Sequence, residues 1–329
     1  MKIAILTSKA RVDKYMEKSM MSKDWEMIHI GQEYTDDDVI EKAKEAECIL
    51  VDAILPVTRR VIEELPKLKM IHSEGVAFNN IDIQAAKEHN IFVCNNLSVN
   101  SGAVAEQAIL LMLSTLRRFS EGEMMVRCGN QIQAKGEFCL EGIQELEFCH
   151  IGIMGFGAIG KETAKRLKGF GCKVSYYNPK PVDKKIEEEL HASYLDIEEI
   201  YKQCDVISIH VPVFPSTINM FNKDVFKKMK KTAILINTAR GEVVNHEDLK
   251  EAIISGQIAG AGLDTLSPEP VTCDNPILNL PEELKYKVSL SPHIGGLTKN
   301  VFTTIYKNIV KNIALVQHGN RPNFIVNGL

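Results

Sequence analysis

Short apolar runs alternate with stretches whose apolar residues recur at helical spacing along nearly the whole chain. The runs KIAIL, EMIHI, CILVDA, LKMIHS and IFVCN read as buried strands, with amphipathic helices predicted at DDDVIEKAKEAE and DIQAAKEHN. The rhythm then breaks. SGAVAEQAILLMLSTLRRF predicts one long helix with Ser101 as its N-cap; it is apolar on nearly every side and so suited to burial between layers or subunits. Residues 120–147, with glycines at 122, 129, 136 and 142, read as loop-rich. A second alternating series runs through HIGIM, KVSYYN, DVISIHV, AILIN, AGAGLDT and KVSLS, and NVFTTIYKNIVKNIALVQHG predicts a final helix.

Strands that alternate with helices imply parallel sheets covered on both faces, the α/β class. At 329 residues the chain is long enough for about two domains. The order of elements predicts a Rossmann-type doubly wound unit over 99–296, inserted into a smaller flavodoxin-like α/β unit made of 1–98 plus 297–329. Such a chain crosses between its units twice, near Asn100 and near Gly296, which predicts a cleft of the kind that takes small molecules.

Composition narrows the partners. The net charge of −4 supplies no positive field for a polyanion, which argues against nucleic acid. MKIAILTSKA reads as a first strand, since a signal peptide needs a longer apolar core. The most apolar stretch, Ala103 to Leu116, is too short for a bilayer and contains Glu106, so no membrane role and a cytoplasmic location are expected. Eight cysteines without a C-x-x-C pair suggest neither a metal site nor a disulfide framework; they read mostly as small buried hydrophobes.

The first candidate chemistry lies in HIGIMGFGAIGKETAKRL. Gly155, Gly157 and Gly160 have G-x-G-x-x-G spacing, directly after a buried strand pattern and at the start of a helix. Gly155 permits the tight turn, Gly157 lets backbone approach a pyrophosphate, and Gly160 lets helix and strand pack closely. The helix N-terminus favours the negative charge. An ordinary βα turn would need only one of these glycines. Where the next strand ends, an acidic residue normally takes the ribose hydroxyl, but this chain has Asn178 followed by Pro179 and Lys180. Asparagine can still bond a ribose hydroxyl without repelling a 2′-phosphate, so NAD is expected and NADP stays open.

Three further strand ends carry charge. AILINTARGEVVN presents Arg240, AGAGLDTLSPEP presents Asp264 and then Glu269, and VSLSPHIGG presents His293 between proline and two glycines. In a doubly wound sheet the carboxyl ends of the strands line the ligand crevice. Each residue alone has an ordinary structural reading, as a surface charge or a satisfied buried histidine. Together, below a dinucleotide turn, they predict a site.

These segments, with GVAFNNID (75–82), AVAEQAILLMLSTLRR (103–118), GIMGFGAIG (152–160), DVISIHVPVFPST (205–217), NTARGEVV (237–244), GLDTLSPEP (262–270) and SPHIGG (291–296), resemble the D-isomer-specific 2-hydroxyacid dehydrogenases over nearly the whole chain. The resemblance implies hydride transfer between NAD(P)H and a small 2-keto acid. His293 would be the general acid/base, Glu269 would orient its ring and favour its charged form, and Arg240 would clamp the substrate carboxylate. It also implies that Glu74, Gly75 and Val76 offer backbone N–H groups to that carboxylate. Coenzyme contacts would come from Gly155, Gly157, Ala158, Ile159, Gly160, Asn178, Val211, Pro212, Thr217, Thr238, Ala239, Arg240, Asp264, His293 and Gly295. His210 would be structural, and a homodimer without metal is implied.

The chain departs from the family pattern at three points. Glu74 stands where relatives carry a small or apolar residue, and a carboxylate facing the substrate would repel it. Asn79 replaces a frequent aspartate, and VRCGNQIQAKGEF lacks a frequent tryptophan. Glu269, where formate-oxidising relatives carry glutamine, argues against that chemistry. An NAD(H)-sensing, corepressor-like regulator with little turnover is the alternative from another class.

Overall fold

The computed structural model describes residues 1–329, which divide into two compact units, Met1–Asn100 with Leu297–Leu329, and Ser101–Gly296. No helix is long and apolar enough to cross a membrane.

The first unit is built on five strands: β1 (Lys2–Leu6), β2 (Glu26–His29), β3 (Cys48–Val51), β4 (Met70–Ser73) and β5 (Phe92–Cys94). They form one sheet in the order β2-β1-β3-β4-β5, with every pairing parallel. This is the flavodoxin-like order. The inner strands read as continuous apolar runs because helices cover both faces, and β3 and β4 are buried at every position. The helix Asp36–Lys42 starts at a capping box between Thr35 and Asp38. The chain returns to this unit with the long helix Lys299–Gln317, whose Val301, Ile305, Tyr306, Ile309, Ile313 and Val316 form the buried stripe.

The second unit carries seven parallel strands, β6 (His150–Met154), β7 (Lys173–Tyr177), β8 (Ala192–Tyr194), β9 (Val206–Ile209), β10 (Ile234–Asn237), β11 (Gly260–Leu263) and β12 (Val288–Leu290). Their order is β12-β11-β10-β9-β6-β7-β8. The order reverses at β6, where the chain winds outward first through β7 and β8 and then through β9, placing the switch point beside the glycine turn. Edge strand β8 was not apparent from the apolar pattern, because its three residues form no apolar run.

Three sequence expectations are corrected here. Ser101 is the first residue of the helix Ser101–Leu116 and not its cap, and its hydroxyl is buried without a partner. That helix buries Val104, Ala108, Leu111 and Met112 but leaves Leu110 57% exposed, so one face is open in the single chain. Residues 120–147 are largely helical: Phe119–Arg127 and Gln131–Glu141 pack against each other through Gly122, where a side chain would meet the Phe138 ring at 3.3 Å. Arg118 holds the pair together, lying over Phe138 while pairing with Glu121 and Glu141. The glycine that suggested a loop therefore allows close helix packing. Of the eight cysteines, all free, Cys128, Cys139 and Cys273 are exposed, fewer burials than the composition suggested.

Candidate active site

In the glycine turn after β6, Gly155 and Gly160 answer different steric constraints. Gly155 sits at φ +96°, and a Cβ there would lie 2.8 Å from the carbonyl of His210. A Cβ on Gly160 would lie 2.3 Å from the Gly155 carbonyl oxygen, whereas Gly157 faces open space. The helix Ala158–Leu167 begins there with no side-chain cap, so the amides of its first turn have no acceptor within the chain. Open space above a glycine and uncapped amides at a ten-residue helix fit a dinucleotide pyrophosphate. Asn178 stands at the end of β7, but its Oδ1 accepts the Phe156 N–H at 2.7 Å. Its Nδ2 makes no bond in the chain. The side chain therefore turns its acceptor toward the glycine turn and leaves a donor free. Lys180 is exposed.

After β9, Val211 and Pro212 lead into a turn that Thr217 closes, donating to the Pro212 carbonyl at 2.7 Å and accepting the Phe214 N–H at 2.8 Å. His210 lies behind Gly155, and its Nε2 is 3.0 Å from the Ser208 hydroxyl. Burial lowers its pKa to about 4, which keeps the ring neutral near pH 7.

After β10, the buried Asn237 staples the next turn. Its Oδ1 accepts the Ala239 N–H at 3.0 Å and its Nδ2 donates to the Arg240 carbonyl at 2.8 Å. This leaves Arg240 exposed, bonded only to its neighbour's carbonyl oxygen. The hydroxyl of Thr238 is buried and unpartnered. Gly241 is required by close approach: a Cβ there would fall 2.3 Å from the carbonyl carbon of Leu266, in the segment that carries Glu269.

The loop after β12 is organised by Asp264 at the end of β11. Oδ1 of this buried carboxylate accepts the Ser291 hydroxyl at 2.5 Å and the Ile294 N–H at 3.0 Å, and Oδ2 accepts the Gly295 N–H at 2.8 Å. Gln107 adds a bond to the Ser291 hydroxyl at 2.9 Å. The His293 N–H donates to the Asp264 carbonyl at 2.8 Å and its φ is +55°, a left-handed conformation uncommon for a residue with a side chain. A Cβ on Gly295 would press on Asp264 Oδ2 at 2.9 Å, which explains that glycine. So held, His293 places Nδ1 2.7 and 2.9 Å from the two oxygens of Glu269. Because a carboxylate only accepts, Nδ1 carries the hydrogen, and Nε2 has no partner in the chain. The histidine is 38% exposed and the glutamate 54%, so Nε2 is reachable.

In the first unit, the segment after β4 is tied down through its carbonyls. Asn96 Nδ2 donates to the carbonyls of Ser73 and Glu74 at 3.2 and 3.3 Å, and the Asn96 N–H donates to Gly75 at 2.9 Å. Asn95 Nδ2 donates to Val76 at 2.7 Å, and Ser73 Oγ donates to Ala77 at 2.6 Å. Five successive carbonyls, from Ser73 to Ala77, are thus bound within the unit. The Val76 N–H has no partner, the Gly75 N–H makes one long contact of 3.3 Å to Ser73 Oγ, and the Glu74 N–H is taken by Val51 at 2.8 Å. Glu74 therefore has no free amide to offer a substrate, unlike Val76.

Its side chain also lies elsewhere than the sequence suggested. Glu74 is 3% exposed and points into the unit, accepting from Tyr306 OH at 2.5 Å and Thr7 Oγ1 at 2.7 Å, with Arg11 Nη2 at 3.2 Å. Burial raises its pKa, opposed by Arg11, Tyr306 and Thr7. It contributes no exposed charge to repel an anion. Asn95, Asn96, Asn237, Gln107 and Ser291 escaped sequence reasoning; the asparagine pair directly after a strand end was the one available signal.

A seven-stranded Rossmann sheet with a pyrophosphate-type turn defines a dinucleotide-binding protein. Residues 109–295 match the model for the D-isomer specific 2-hydroxyacid dehydrogenase, NAD binding domain. The glyoxylate reductase of Thermococcus litoralis is 37% identical over 296 residues, covering 88% of this chain and 86% of that protein. The hydroxypyruvate reductase of Thermotoga maritima is 33% identical over 305 residues, covering 92% and 94%. Among solved structures, D-lactate dehydrogenase with NAD+ from Lactobacillus jensenii superposes with a TM-score of 0.82 at 27% identity, covering 99% of each chain. The chain belongs to the D-isomer-specific 2-hydroxyacid dehydrogenase family of oxidoreductases.

Proposed function

We propose that this protein reduces small 2-keto acids to D-2-hydroxy acids, with NADH as the expected coenzyme. The observation that carries the reading is the His293–Glu269 pair, held on a loop that Asp264 fixes through three donors, with Nε2 left free. The bound nicotinamide would supply the hydride. The imidazolium form of His293 would give its Nε2 proton to the substrate carbonyl oxygen as the hydride arrives at carbon, leaving the neutral ring whose Nδ1–H donates to Glu269. Arg240 would take the substrate carboxylate through its exposed guanidinium fork, and in the other unit the Val76 and Gly75 amides suit an anion. Gly155 to Gly160 would cradle the pyrophosphate, with Val211, Pro212, Thr217, Thr238 and Ala239 flanking the coenzyme.

Two roles change from the resemblance. Asp264 and Gly295 would act on the coenzyme chiefly by setting the His293 loop, since the carboxylate of one receives the amide of the other. Asn178 would face the ribose with a donor, which tolerates a 2′-phosphate. The exposed apolar residues Phe119, Val126, Ile132 and Leu140 support a homodimer through the two helices between 119 and 141.

The relatives' names point to glyoxylate and hydroxypyruvate as first substrates. The test is a kinetic screen of 2-keto acids with NADH and with NADPH. Turnover of at least one short keto acid, faster with NADH, is expected; coenzyme binding without turnover on any keto acid would overturn the reading in favour of a regulator.

A further inference from the structure

Within the second unit, the glycine turn after β6 and the segment 178–182 after β7 lie at neighbouring strand ends, since β6 and β7 pair along their length. The second segment has little with which to hold itself. Pro179 and Pro181 have no N–H, and Pro179, Lys180 and Pro181 are all exposed. One side chain of β7, Tyr176, fixes both segments from below. Its buried ring stacks on that of Phe156, the residue between Gly155 and Gly157, with centroids 4.1 Å apart and planes at 19°. Tyr194 packs on it edge-on at 5.7 Å. The Tyr176 hydroxyl accepts the Val182 N–H at 2.9 Å and donates to Glu187 Oε1 at 2.8 Å, because a carboxylate only accepts. Glu187 is itself buried, and Lys184 donates to its other oxygen at 2.6 Å. Burial and the Glu187 carboxylate raise the pKa of the phenol to about 12, so near neutral pH the hydroxyl keeps the proton it donates. The Phe156 N–H closes the ring of contacts by donating to Asn178 Oδ1 at 2.7 Å. A phenylalanine at 176 would serve the apolar packing. The hydroxyl adds a buried polar group whose two partners, Val182 and Glu187, both come from the chain beyond Asn178.

We propose that Tyr176 and Glu187 are positioning residues for the coenzyme, which preset the span between the glycine turn and segment 178–182 so that a ligand carrying both pyrophosphate and adenosine ribose meets the two together. This rests on the coenzyme placement given above. A segment tied back to the sheet before binding costs no ordering when the ligand arrives, whereas a loose one must be ordered by the ligand. The cost of loosening therefore falls on ligands that reach both segments and spares those that reach the turn alone.

The experiment measures binding of NADH, ADP-ribose and inorganic pyrophosphate to the full-length protein, by calorimetry and, for pyrophosphate, by phosphorus NMR. Tyr176→Phe keeps the ring stacked on Phe156 and removes the tie to Val182. It is expected to weaken NADH and ADP-ribose about tenfold and to leave pyrophosphate, which meets the glycine turn alone, unchanged. Glu187 supplies a second pair of variants. Glu187→Gln keeps an oxygen to accept the Tyr176 hydroxyl and is expected to bind all three ligands as the wild type does. Glu187→Ala leaves that hydroxyl without its acceptor and is expected to follow Tyr176→Phe. Unchanged ADP-ribose affinity in Tyr176→Phe, an equal loss of pyrophosphate, or Glu187→Gln as weak as Glu187→Ala overturns the proposal while leaving the coenzyme reading intact. A wild type that binds neither NADH nor ADP-ribose would instead overturn the coenzyme reading, and with it this one.

Discussion

Two candidate loops, one in each unit, follow buried parallel strands, and they are fixed in opposite ways. After β12, a carboxylate collects the loop's N–H groups, Asp264 taking Ile294 and Gly295. After β4, two asparagines collect the loop's carbonyls, Asn96 taking Ser73 and Glu74 and Asn95 taking Val76. What each loop presents follows from what is tied back. The first has used its amides and presents a side chain, the free Nε2 of His293. The second has used its carbonyls and presents an amide, that of Val76, suited to an anion. One polar residue at the root of a loop can thus decide whether its outer face offers side-chain or backbone chemistry.

Removing the presented group should separate the two loops most strongly. His293→Ala is expected to slow keto-acid turnover by about 10²–10⁴-fold, with NADH affinity measured by fluorescence quenching nearly unaltered. Equal rates would remove His293 from the proton-transfer role. Asn96→Ala should act through backbone. With buried carbonyls left without donors, it is expected to destabilise the first unit by about 1–3 kcal/mol in urea unfolding and to raise KM more than it lowers kcat. A change in kcat alone would contradict a positioning role.

Acid compares the units themselves. His72 in the first and His210 in the second are both buried, and burial lowers each pKa to about 4. Their folded pKa values lie below the unfolded value of about 6.5, so the unfolded chain takes up protons first as pH falls. Their stabilisation is complete above about 6.5 and is lost as pH falls toward 4, by about 2 kcal/mol per histidine at pH 5. Urea midpoints at pH 7 and pH 5 check this, and His72→Asn should shrink the difference. The smallest effect belongs to Asn178→Asp. Aspartate can still accept the Phe156 N–H but replaces the free donor with negative charge, which should weaken NADPH binding about threefold to tenfold and NADH binding less. Equal losses for both coenzymes would separate Asn178 from the choice between them.

Much of the fold is legible in the sequence. Apolar runs at strand spacing located eleven of the twelve strands, and the return of the last helix to the first unit followed from the order of elements. The G-x-G-x-x-G turn could be read because Gly155 and Gly160 answer separate steric demands and Gly157 leaves space open above the backbone. The networks were not legible. Glu74 reads in sequence as a carboxylate that could face the substrate, since its partners Thr7, Arg11 and Tyr306 come from distant segments and meet only through folding. Asp264 reads as a ligand contact because its place at a strand end was visible but its three donors were not. Glycines at 122 and 136 suggested a loop, yet both lie in helices: Gly122 where the Phe138 ring presses close, Gly136 in open space.

The central claim is tested most directly by following hydride to its destination. The protein, a short 2-keto acid and NADH dideuterated at nicotinamide C4 are incubated together, and the product is analysed by NMR and chiral chromatography. The account predicts deuterium on C2 of a D-2-hydroxy acid. An L product, a C2 without deuterium, or coenzyme that binds but is not consumed would contradict it.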